Sequence, residues 1–192
     1  MSTAIGSLFP EIASNSSRIK NHVGLLEASI LIGLGMAAVC LHASARGLIE
    51  MPGHQGLGWI SLLMMGRKRS EFRWAAVTSS IGAAAFTMMP FWSFRDPFRW
   101  LTYLLAGATL DLLYVSFLQL RNKVWLQSCC GGLAHMTKPI TRLFIGQWNG
   151  WPYGSLRWGV AYPSASHFLF GFLGALLGQS LIAITNRHHS VK

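Results

Sequence analysis

Charge is what this chain has least of. Asp, Glu, Lys and Arg make up 11% of its 192 residues, where a water-soluble domain carries roughly 25%. Carboxylates are scarcest, six against sixteen Lys and Arg, and no two of them form the paired motif that general acid–base catalysis needs. Cysteine is nearly absent. Cys40 and the adjacent Cys129 and Cys130 form no CxxC and no Cys/His zinc spacing, so they read as small buried thiols. GxSxG, HExxH and Walker sequences are missing as well, which argues against an enzyme and excludes a nucleotide site of its own. The first 22 residues lack a basic stretch followed by a cleavage site, so no signal peptide is expected. There is no internal repeat and no low-complexity segment.

What is present is hydrocarbon. Hydrophobic residues make up 52% of the chain and mean hydropathy is +0.38. The class expected is an all-α, polytopic membrane bundle of six helices. A polar arm would occupy 1–21, the bundle 22–186 and a basic tail 187–192. Spans are expected near 22–44, 74–94, 98–120, 124–146 and 164–185. The remaining apolar stretch, 57–66, is too short to cross unless the Pro52-Gly53-His54-Gln55-Gly56 turn enters the membrane with it, so it reads as short or re-entrant. The net charge of +10 lies in short clusters between apolar runs. It therefore reads as a topology and lipid signal, and no aromatic-interleaved basic patch points to nucleic acid. Arg18, Lys20, Arg67, Lys68, Arg69, Arg73, Arg121, Lys123, Arg187 and Lys192 fall on one side, against Arg46, Arg95, Arg99, Lys138, Arg142 and Arg157 on the other. The positive-inside rule then puts both termini in the cytoplasm of a cell-membrane protein.

The fifth span carries the chemistry. Gly131, His135, Lys138 and Arg142 recur at i, i+4, i+7 and i+11, one face of a helix. Ionisable groups within a span usually face a bundle interior or a wet cavity; snorkelling of Lys138 and Arg142 to the headgroups is the plainer alternative. On the fourth span Trp100, Tyr103, Gly107, Asp111 and Tyr114 share a face. Counted from Arg121, Asp111 lies about 15 Å up; counted from Val124, His135 lies about 16 Å up. Asp111 is therefore expected to pair with His135 or Lys138, whether for function or for packing. Above that level gather Arg46, His54, Gln55, Trp148, Asn149, Trp151 and His167. Flat aromatics with a few cationic and hydrogen-bonding groups suit a small, partly anionic or aromatic molecule; an interfacial aromatic belt would use the same tryptophans.

Ser29, Gly33 and Ala37 space a small-residue face on the first span, suited to close approach of another helix. With Gly107-Ala108-Thr109-Leu110-Asp111-Leu112-Leu113 and the glycine-spaced His167–Gly178 stretch, this layout resembles the substrate-binding S component of energy-coupling factor (ECF) transporters. The resemblance implies a six-helix membrane subunit that binds a vitamin-like micronutrient in an outward-facing cavity. The loops around 46–55 and 147–162 would close over it. It further implies docking of a membrane coupling subunit on Ser29, Gly33 and Ala37, two partner ATPases, and no cofactor. Two other readings stay open: a haem- or metal-binding redox or enzyme subunit using His42, His54, His135 or His167, and an assembly subunit without ligand.

Overall fold

Long runs of Leu, Ile, Ala and Gly, broken by Pro- and Gly-containing turns, give helices and nothing else among the described residues. The computed structural model describes residues 20–44, 51–89, 96–117, 123–150, 152–157 and 159–190, with backbone alone at 188–190. Arg46, Trp151, the segment 90–95, most of the N-terminal arm and the last two residues lie outside them.

Six α-helices follow in order: α1 Leu25–Ser44, α2 Gly56–Arg69, α3 Ala75–Thr87, α4 Arg99–Ser116, α5 Val124–Asn149 and α6 Ala161–Ser190. One 3-10 turn, Gly154–Leu156, sits between α5 and α6. The helices alternate in direction. Neighbouring pairs run α1–α3, α3–α4, α4–α5, α5–α6, α6–α2 and α2–α1, and α2 also touches α3 and α5. One end of the bundle gathers the start of α1, the α2–α3 connection, the end of α4 and the start of α5. It is called here the Arg67 end, and the opposite one the Asp96 end.

Among the described residues two helices, Leu25–Ser44 and Ala161–Arg187, are long and apolar enough to cross a membrane, and Ala75–Thr87 is a shorter apolar helix. The expected short second helix is present. Its 14 residues reach about 21 Å.

The core mixes apolar and polar side chains. Beside Val39, Ile60, Met64 and Leu110, the residues Ser79, Ser80, Asp111, Ser128 and His135 are fully buried, and Arg67 is 3% exposed. Leu169, Leu173, Leu177, Leu181 and Ile184 form an exposed stripe along α6. Glycines set the spacing between helices. A Cβ on Gly174 would lie 2.4 Å from Gly56 O, and one on Gly178 would lie 2.4 Å from Ser61 O, so α6 and α2 meet backbone to backbone. Gly131 and Gly171 do the same between α5 and α6. The glycine-spaced face of α6 is therefore a packing surface.

At the Arg67 end, Lys20 is drawn into the fold. Its N–H donates to Glu71 O (2.9 Å), its carbonyl accepts from Arg73 N (3.0 Å), and its ammonium pairs with Glu71 at 2.8 Å.

Candidate functional site

The expected partner of Asp111 is overturned: its carboxylate meets neither His135 nor Lys138. It pairs with Arg67 of α2 at 3.0 Å and accepts from the N–H groups of Ala76 (3.2 Å) and Val77 (2.8 Å) at the start of α3. The depth count failed because α4 ends at Ser116 and not near 120. Asp111 thus lies about 7 Å from its helix end. The carboxylate caps α3 from a neighbouring helix, where free N–H groups and the helix dipole favour negative charge. Arg67 completes the knot by donating to Arg73 O (2.9 Å) and Ser70 O (2.8 Å) and by lying 4.9 Å over the Tyr114 ring. Asp111 and Tyr114 are therefore part of a structural clasp at the Arg67 end.

Tyr103, His135, Lys138, Arg142, His167 and the His54–Gln55 turn gather toward the Asp96 end. The turn at 51–55 folds into the bundle beside α5 and α6. Gly53 adopts φ 84°, and a Cβ there would lie 2.9 Å from the His167 backbone, so both conformation and space call for glycine. Its carbonyl accepts from His135 Nε2 at 3.1 Å, and His135 Nδ1 accepts from Trp59 Nε1 at 3.2 Å. Those two bonds fix His135 as the neutral Nε2–H tautomer. The His167 ring lies 4.7 Å from that of His135 and donates through Nδ1 to Pro163 O at 2.7 Å. Trp59 stands edge-on to Tyr103, centroids 4.8 Å apart. Beyond Tyr103, His42 Nε2 accepts from the Arg99 guanidinium, so its Nδ1–H donates to the Tyr103 oxygen at 3.0 Å. A relay thus runs across the bundle: Arg99, His42, Tyr103, Trp59, His135, Gly53.

Further toward the Asp96 end, Arg142 gathers three loop groups. Its Nη2 donates to Asp96 Oδ2 (3.4 Å), its Nη1 donates to Ser155 Oγ (3.3 Å), and its guanidinium lies 5.2 Å over Tyr153. The Tyr153 hydroxyl donates to Asp96 Oδ1 at 3.2 Å. Burial, and then the nearby Asp96 charge, push the Tyr153 phenol up to about 12, so it remains a donor at ordinary pH. Asp96 also caps the turn into α4 by accepting from Phe98 N at 3.0 Å. Lys138 lies below this lid, 8% exposed. Pro139 follows it inside α5, and its missing N–H leaves the His135 carbonyl without a helical partner.

His54 and Gln55 are half-buried in the inserted turn, where His54 Nδ1 donates to Met51 O at 2.7 Å. Trp148 is 89% exposed and Asn149 is exposed, so neither joins the cluster. Trp59, Arg99 and Asp96 were not expected at the site. The only signals for them were the i, i+4 spacing of Arg99 and Tyr103, and an acidic residue beside Pro97. On α1, Ser29, Gly33 and Ala37 are exposed, and nothing lies within 4 Å of where a Gly33 Cβ would be. The inward face of α1 is instead Leu31, Gly35, Ala38, Val39 and His42.

For haem or metal, the donor set is poor. Both ring nitrogens of His42 and of His135 are engaged in hydrogen bonds. Among the described residues, no group of three His, Cys, Asp or Glu could hold a metal ion. No protein family, curated protein or solved structure matches the chain.

Proposed function

We propose that the chain is a multi-pass membrane protein with both termini in the cytoplasm, and that it captures a small molecule at the Asp96 end. In this reading it is the substrate-binding subunit of an ECF-type importer, working with a membrane coupling subunit and two ATPases. The exposed apolar stripe of α6 and the buried ionisable groups Arg67, Asp111 and His135 support immersion in lipid. The 51–55 turn is irregular backbone packed half-buried against α5 and α6, a setting in which a membrane tolerates it. The Arg67–Lys68–Arg69 cluster supports a cytoplasmic position for the opposite end, which would turn the Asp96 end outward.

The observation that carries the reading is the relay itself. Tyr103, Trp59, His135 and His167, drawn from four helices, converge on the side of the bundle where Tyr153 and Ser155 of the α5–α6 loop meet Arg142. A packed scaffold does not need so many hydrogen-bonding aromatics in one place, whereas a site for a flat, polar molecule does. The exposed Ser29, Gly33 and Ala37 face supports a lateral partner.

Native mass spectrometry of the full chain, extracted in gentle detergent, tests this directly. A retained small molecule, or co-purified membrane and ATPase subunits, is the expected result. A bare monomer with neither, together with no ligand-induced rise in Tm, would sink the importer reading.

A further inference from the structure

The groove between α1 and α2 at the Arg67 end belongs to neither the relay nor the clasp. It encloses about 390 Å³, within the roughly 300–1,000 Å³ of small-molecule sites. Its length is apolar. Leu26, Ile30 and Leu34 recur at i, i+4 and i+8 along α1, and Met65 of α2 lines it with them. Leu26 is 76% and Ile30 56% exposed, so the groove opens sideways, the direction of lipid in the membrane reading. Its mouth is charged. Glu27, in the first turn of α1, and Arg69, in the last turn of α2, both line it beside Ser70. The Glu27 carboxylate accepts from Ser70 Oγ, and Arg69 Nη2 donates to Thr185 Oγ1 at 2.7 Å. The two charges form no ion pair with each other or with any other described residue.

An acid and a base that flank one apolar groove without neutralising each other suit a ligand with both charges at its head and hydrocarbon behind. Resting on the membrane part of the reading above, and not on ligand capture, we propose that this groove holds a zwitterionic membrane lipid whose head bears a primary ammonium, as in phosphatidylethanolamine. Its phosphate meets Arg69, its ammonium meets Glu27, and one acyl chain lies along Leu26, Ile30 and Leu34. The depth agrees. Both charges stand at helix ends, the level of headgroups, and Leu34 lies about 10 Å further in than Glu27. A quaternary ammonium has no N–H to give a carboxylate, and a glycerol head has no cation, so Glu27 discriminates by head chemistry.

The test titrates dioleoyl lipids into the detergent-purified full chain and reads retained lipid by native mass spectrometry. Phosphatidylethanolamine should be retained roughly fivefold more than phosphatidylcholine or phosphatidylglycerol, the worth of one partly exposed charge-assisted hydrogen bond. Glu27→Gln keeps an acceptor for Ser70 and should erase that preference, leaving the three lipids within about twofold of one another. Arg69→Gln keeps a donor for Thr185 and should weaken all three together, because each carries the phosphate. Ile30→Trp fills the groove, leaves both charges in place, and should exclude all three.

The proposal is overturned if the wild type retains the three lipids alike, if Glu27→Gln keeps the preference, or if Ile30→Trp retains lipid as the wild type does. Lipid-free dimers that Ile30→Trp dissociates would assign the groove to a second copy and overturn it as well. Release of the chain from native membranes by alkaline carbonate would remove the membrane reading itself. A chain that stays in the membrane and shows no lipid preference removes the groove proposal alone.

Discussion

The bundle holds an arginine near each end, Arg67 buried and Arg142 half-buried, and the two are treated differently. Arg67 has one carboxylate to itself at 3.0 Å and two backbone acceptors within 2.9 Å. Arg142 reaches Asp96 at 3.4 Å and Ser155 at 3.3 Å, both longer. At the Arg67 end, charge is balanced, and the carboxylate also closes two N–H groups of a helix start. At the Asp96 end, one carboxylate divides its oxygens among Arg142, the Tyr153 hydroxyl and the Phe98 N–H. The contrast teaches that a buried ion in a helical bundle is not by itself a sign of function. What matters is whether its protons and charge are already accounted for.

Four substitutions would break or sharpen this contrast. The largest effect is expected from Asp111→Ala, which strands Arg67 and uncaps α3. It should destabilise by about 3–5 kcal/mol in equilibrium unfolding, and a loss below 1 kcal/mol would dissolve the distinction between the ends. Trp59→Phe keeps most of the ring but leaves the buried His135 Nδ1 without its donor. It should cost about 1–3 kcal/mol and shift the imidazole signals of His135 in NMR. Tyr153→Phe removes one half-buried hydrogen bond to Asp96, with a cost of about 0.5–1.5 kcal/mol. That change should also loosen the α5–α6 loop, read as faster amide exchange at Gly154–Leu156. Gly33→Leu adds bulk to an open face and should alter the stability of the isolated chain by no more than about 0.5 kcal/mol. If partners dock there, the same change should still abolish their co-purification.

The helical layout was largely legible because it is local. Hydropathy and Pro/Gly breaks located six helices, including the short one at Gly56–Arg69, and the shared face of His135, Lys138 and Arg142 followed from the helical repeat. The failures concern ends and partners. Asp111 was placed mid-bundle because apolar residues continue beyond Ser116, where α4 stops. Its pairing with Arg67 spans 44 residues of sequence, a separation that no periodicity encodes. Trp59, Arg99 and Asp96 were invisible for the same reason: each matters through a neighbour on another helix. Trp148 shows the converse. Its neighbourhood in sequence suggested a binding loop, yet 89% of its surface is open, as suits an aromatic at a membrane boundary.

The pairing of Arg99 with His42 has a consequence for the sense in which the interior is polarised. A guanidinium can only give protons, so His42 must present its lone pair to α4 and its N–H to the Tyr103 oxygen. The phenol proton is thereby turned away from His42, and three side chains acquire one orientation from a single cation. Exchanging Arg99 for an acceptor would flip the imidazole and reverse that orientation without moving a helix.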